Sequence, residues 1–269
     1  MLALALALAA AAPDGPVRLA TYHYPRYDRA KALEPLRVLL QQRLSRPVIV
    51  EVLATPDALR DAVRAGTVDI AMTNLSSYLG MAGTRRLDAV AVLDVPAATL
   101  ERYRGVLLAR KEAGVEAPAA LPARAGALRY AEVLPGSTSG ALVQSIYLRS
   151  LSTDPARFAV RLWAGTHDGA LAMLLDGRAD VAALAEEPWR NASPEVKARM
   201  VQLWRSEPLP PGPLICVSRV GFDCGAVKRL VLSKAAAPAA AELARGWSET
   251  EGAARFRKVR RDYAQFRRL

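Results

Sequence analysis

The chain has 269 residues, 52% of them apolar and 23% charged, with 37 basic against 26 acidic side chains and a net charge of +11. That much apolar surface excludes a disordered chain, and the length allows one large or two modest domains with a sizeable core. Two His and two Cys argue against a clustered metal centre, a zinc ribbon or an iron–sulfur protein, so neither metal nor cofactor is expected.

Residues 1–12 read MLALALALAAAA, too short to span a bilayer, which takes roughly 20 residues. The run matches the apolar region of a secretory signal, with Ala10-Ala11-Ala12 as a small-x-small cleavage site, although the usual positive start is missing. An exported, soluble protein is expected. From Pro16 onward strand-like and helix-like segments alternate: strand 17–21, helix 30–44, strand 48–53, helix 56–65 and strand 68–72. The alternation resumes with strand 128–133, helix 140–151, strand 158–163, helix 168–175 and strand 179–184. It predicts an α/β protein with parallel or mixed sheets flanked by helices.

The two series are copies. Thr55-Pro56-Asp57, a helix, Gly66 and Asp69-Ile70-Ala71 match Thr166-His167-Asp168, a helix, Gly177 and Asp180-Val181-Ala182, every pair 111 residues apart. In both, a Thr can cap the helix start, an Asp suits the first turn, a Gly suits the helix end, and an Asp opens a buried strand. Two similar lobes follow, with the second inserted into the first: residues 13–105 and 209–269 form one, residues 106–208 the other. Two crossings, near 103–110 and 205–212, make a hinge, and the cleft between lobes is the default small-ligand site.

Residues 110–124, rich in Ala, Pro and charge, read as a surface excursion, and EPLPPGP at 207–213 as an extended return. Cys216 and Cys224, eight positions apart, suit either a local disulfide or two buried thiols. Residues 245–269 carry eight basic and three acidic side chains, and Phe256, Val259, Tyr263 and Phe266 recur at helical spacing. This reads as an amphipathic helix with a solvated basic face. It carries no nucleic-acid-binding signature, so nucleic acid is not an expected partner. The basic excess fits either an anionic partner or a generally Arg-rich composition.

The segment with most chemistry is Leu134-Pro135-Gly136-Ser137-Thr138-Ser139-Gly140, after a strand and at a helix start. First-turn amides have no intrahelical acceptor and carry partial positive charge, so with the hydroxyls of Ser137, Thr138 and Ser139 they suit a tetrahedral oxyanion. Each charge-assisted hydrogen bond contributes about 1.5–3 kcal/mol, so a few reach micromolar affinity, about −8 kcal/mol. A plain capped turn with nothing bound is the alternative. A nucleophile elbow fails because Thr138 holds the central position, a nucleoside-triphosphate loop fails for want of Lys, and no dinucleotide fingerprint is present. His167, where the first copy has Pro56, can aim an imidazole donor at the same cleft. Thr73 and Asn74 face it from the first lobe, with simple capping of the next helix by Asn74 or Ser76 as the alternative. Tyr22, His23 and Tyr24 follow the first strand, and Tyr24 is the candidate contact there.

These segments together, VDIAMTNLSSY at 68–78, PGSTSG at 135–140, AGTHDGAL at 164–171, ADVAAL at 179–184 and EPLPPGP at 207–213, resemble the phosphonate/phosphite/phosphate-binding proteins of ABC importers over most of the chain. The resemblance implies a two-lobed type II periplasmic-binding-protein fold, each lobe a mixed sheet flanked by helices, and a periplasmic location. It implies that Ser137, Thr138, Ser139 and the helix amides hold phosphoryl oxygens, with His167 as a further donor and Glu187 as an acidic contact. Pro56 and Thr73 stand where members that bind aminoalkyl phosphonates have tyrosine, and Gly212-Pro213 where an acidic residue is usual. The expected protein is a monomeric, non-enzymatic binder of a phosphorus oxyanion that serves an inner-membrane ABC permease. The alternative is a sensor of the same fold signalling to a receptor or kinase. A hydrolase using Ser139 and His167 lacks a third member.

Overall fold

A computed structural model describes residues 15–260 together with Tyr263 and Phe266; the leader read in residues 1–12 lies outside the described residues. The strands, in chain order, are β1 (Val17–Tyr22), β2 (Val48–Leu53), β3 (Ile70–Met72), β4 (Leu87–Leu93), β5 (Gly105–Arg110), β6 (Arg129–Glu132), β7 (Val160–Trp163), β8 (Val181–Ala185), β9 (Met200–Arg205), β10 (Leu214–Val217) and β11 (Phe256–Arg257). They build a six-stranded sheet, β11-β4-β10-β3-β1-β2, and a five-stranded sheet, β7-β6-β8-β5-β9. In each, three strands run parallel, β2-β1-β3 and β7-β6-β8, and the next strand, β10 or β5, is antiparallel to them. Parallel strands buried on both faces need continuous apolar runs, which Ile70-Ala71-Met72 and the fully buried β8 supply.

The sequence repeat is a repeat of pairing. Leu19 faces Ile70 in the first sheet, and Tyr130 faces Val181, the same register 111 residues on, in the second. The Asp that opens the third strand of each copy anchors this register. Asp69 accepts the Arg18 amide at 2.8 Å and Asp180 the Arg129 amide at 2.9 Å, and each also holds an Arg brought by an antiparallel neighbour, Arg219 or Arg110. Thr55 and Thr166 cap the helices Pro56–Arg64 and His167–Leu175 by accepting from Ala58 and Gly169. Gly66 and Gly177 close them with φ of +74° and +70°. On the other face of the first sheet, the helix Arg29–Leu44 buries Leu33, Leu36 and Leu40 against β1 and β3, each contributing roughly 1.5–3 kcal/mol.

The chain passes from β4 to β5 through residues 94–104 and back from β9 to β10 through residues 206–213. The two passages are bonded side by side: Ser206 N–H donates to Gly105 C=O at 2.8 Å and Leu209 N–H to Tyr103 C=O at 2.8 Å. Gly212 is required by close approach, because a Cβ there would overlap the Thr73 carbonyl oxygen.

Two expectations are corrected. Residues 110–124 are not a surface excursion: Ala113, Val115 and Leu121 are buried in the core of the second lobe, their anchoring apolar positions hidden among Ala, Pro and charge. The stretch from Phe256 is not a helix over residues 256–260. Phe256 and Arg257 pair with β4 as an edge strand, because the open edge of β4 supplies backbone partners as well as a place for Phe256 in the first lobe's core. Tyr263 is buried, and its hydroxyl donates to Pro211 C=O at 2.8 Å.

Cys216 and Cys224 form a disulfide. Replacing both by Ala is expected to lower the unfolding free energy by about 2.5 kcal/mol, the loop-closure constraint for so short a loop. A urea unfolding midpoint unchanged from the native protein would contradict this.

Candidate functional site

The carboxyl ends of β1, β3, β6 and β8 point into one cleft, where open α/β sheets place their ligands. Ser137 N–H donates to Leu134 C=O, a tight turn that Gly136 permits with φ +79°. The helix beyond opens as a π-turn over Thr138–Leu142, broken at Gly140 (φ −131°, ψ 18°), and continues as Val143–Ser150. This wide first turn leaves early amides without an intrahelical acceptor. Ser137, Thr138 and Ser139 are all buried.

The lobes meet across the cleft. Asn74 Nδ2 donates to Gly136 C=O at 2.9 Å, Ser76 N–H donates to Thr138 Oγ1 at 3.0 Å, and His167 N–H donates to the Tyr24 hydroxyl at 3.3 Å. Arg26 and Asp168 pair at 3.0 Å on the rim. Between them is a cavity of ≈ 40 Å³ lined by Ser137, Thr138, Ser139, His167, Asn74, Tyr24 and Glu187 among others, about the room of three waters. Seven of the eight sequence-derived candidates therefore come together. Thr73 does not line it: its hydroxyl donates to Pro213 C=O at 2.6 Å, and the side chain is 1% exposed. His23 is exposed and also stands outside. Asn74 is chiefly a brace, since its Oδ1 caps the next helix by accepting from Ser77 N–H.

His167 is set up as a neutral donor. Its Nδ1 accepts the Ala185 amide at 2.9 Å, so the ring proton sits on Nε2. Burial first, then repulsion from Arg26 and Arg29, lowers its pKa to about 4, and the ring is uncharged at neutral pH. Burial likewise pushes the Tyr24 hydroxyl up to about 12.

Several lining residues escaped the sequence reading. Tyr103, on the first crossing, lines the cavity with Ser139 and Thr138, and burial holds its pKa well above the usual tyrosine value. Glu249, from the turn at Ser248–Thr250, has its carboxyl pushed up by burial. Arg29 completes the first-lobe wall beside Tyr22, which was expected there from its place at the end of the first strand. No local motif marks them, because only the tertiary fold brings residues this far apart together. Among the described residues no group of three or more His, Cys, Asp or Glu is placed to hold a metal, and no helix is long and apolar enough to cross a membrane.

A family model described as the periplasmic substrate-binding protein of the phosphonate ABC transporter matches residues 23–259. No curated protein sequence matches. Among solved structures the chain is similar to PhnD1 of Prochlorococcus marinus in complex with methylphosphonate (15% identity, 96% of this chain and 97% of that one covered, TM-score 0.68). It is also similar to a binding protein component of an ABC phosphonate transporter from Pseudomonas aeruginosa (18%, 94% and 84%, 0.65). XAC2383 of Xanthomonas citri bound to chloride is a third (16%, 94% and 95%, 0.71). At these identities the likeness shows the fold, that of the type II periplasmic binding proteins.

Proposed function

Because the chain belongs to the family of periplasmic substrate-binding proteins of ABC phosphonate transporters, we propose that its cleft cavity captures one small phosphorus oxyanion, a short alkyl phosphonate, phosphite or phosphate, for delivery to the permease. The observation that carries this reading is the convergence, in one ≈ 40 Å³ cavity, of the Ser137–Ser139 hydroxyls and the neutral imidazole of His167. The ligand's oxygens take hydrogen bonds from Ser137, Thr138, Ser139, the π-turn amides and His167 Nε2. Tyr24 and Asn74 hold the opposite wall against them, and Glu187 stands on the rim. So small a space suits a phosphoryl head with little more than a methyl group.

Capture works by closure. The ligand would touch the second lobe, 106–208, and the first, 13–105 with 209–269, at once only when the cleft is shut, and that differential contact drives the equilibrium. The paired crossings at Tyr103–Leu209 and Gly105–Ser206 are the hinge. Both walls come from one chain, so a monomer suffices.

The site binds rather than turns over. A catalytic base of the Ser–His type donates from Nδ1 to a carboxylate, whereas Nδ1 of His167 accepts a backbone amide. The test is calorimetric titration of protein unfolded and refolded to strip bound ligand, with methylphosphonate, phosphite and phosphate. At least one should bind with micromolar or tighter affinity, about −8 kcal/mol or better; no heat with any of the three would refute the proposal.

A further inference from the structure

Arg29 is the first residue of the helix Arg29–Leu44, the end where the helix dipole disfavours a cation. It is nonetheless 5% exposed. Its guanidinium lies 4.2 Å from the Tyr22 ring centroid, 4.3 Å from that of Trp247 and 5.3 Å from that of Tyr24. Nε donates to Gly246 C=O at 3.0 Å and Nη1 to Tyr22 C=O at 3.3 Å. Among the described residues no carboxylate lies within ion-pair distance of it; the carboxyl of Glu249 feels its charge from farther away. Arg29 lines the cavity that holds Ser137, Ser139 and His167.

A guanidinium taken out of water is costly unless it is paired. Aromatic faces recover only part of that cost, and two carbonyls carry no formal charge. The cation is held, by a rigid aromatic frame, in the wall of the cavity. Every other donor proposed for the ligand, hydroxyl, amide or neutral imidazole, is uncharged.

We propose that Arg29 is the fixed counter-charge of the bound ligand, and that it makes the site prefer doubly charged phosphonates over singly charged tetrahedral anions such as sulfonates. The inference rests on the oxyanion reading of the cavity. Its test compares the native protein with Arg29→Met and Arg29→Lys at mildly alkaline pH, where methylphosphonate is a dianion, using methylphosphonate and the isosteric monoanion methanesulfonate in calorimetric titration and competition. The native protein should favour methylphosphonate by about 30-fold or more. Arg29→Met should lose about 30-fold or more for methylphosphonate and only a few-fold for methanesulfonate, whereas Arg29→Lys, which keeps the charge, should retain the preference and lie within about tenfold of native affinity. Native-like methylphosphonate affinity in Arg29→Met, or equal losses for both ligands, overturns the assignment. If Arg29→Met does not fold, equal affinity of the native protein for the two ligands, or loss of the preference in Arg29→Lys, overturns it. A native protein that binds neither ligand overturns the oxyanion reading itself, and this assignment with it.

Discussion

The double variant Ser137→Ala plus Ser139→Ala should bind methylphosphonate at least about 150-fold more weakly than the native protein, since each lost hydroxyl removes a charge-assisted hydrogen bond contributing about 1.5–3 kcal/mol. Neither hydroxyl is needed to hold the lobes together. The contacts across the cleft use the Gly136 carbonyl, Thr138 Oγ1 and the His167 amide, all of which the variant keeps. The fold should therefore be intact, with the loss confined to the ligand. Thr138→Ala differs, because it also removes the acceptor for Ser76 N–H and weakens closure. Native affinity in the double variant, by calorimetry, would exclude the turn as the oxyanion site.

Acid should expose His167. In the unfolded chain its imidazole takes a proton near the usual 6.5, while in the folded protein it stays neutral down to about 4. Between those values the unfolded state binds more protons, so stability falls as pH drops through the window and is unaffected by this residue above it. The full loss, reached at about pH 4, is on the order of 3 kcal/mol. His167→Gln, whose amide oxygen can still accept from Ala185 N–H, should remove that slope. The measurement is the difference between the two proteins' unfolding free energies across the window; parallel curves would show that the imidazole is not held neutral.

The scaffold of the site was legible because its signals are local. Caps at Thr55 and Thr166, glycine helix ends and strand-opening aspartates act within a few residues of themselves, so their 111-residue repetition reported two lobes and one register. The turn at Ser137–Ser139 was legible for the same reason: a strand, a glycine and a run of hydroxyls at a helix start are local signals of a turn with free amides. What failed depends on distant partners. Thr73 reads as a free hydroxyl until Pro213, 140 residues on, arrives to accept from it. Phe256 has helical spacing to its neighbours, yet pairing with Leu93 decides its conformation. Arg29, Tyr103 and Glu249 have no motif because their meaning is their position against a cavity built from both lobes.

The central claim is that a phosphorus oxyanion sits between the hydroxyls of Ser137–Ser139 and the imidazole of His167. A crystal structure of the protein with methylphosphonate measures this directly. The phosphorus is expected inside that cavity, with its oxygens within hydrogen-bond distance of the serine hydroxyls and of His167 Nε2. The ligand located elsewhere, with this cavity filled only by water, would contradict it.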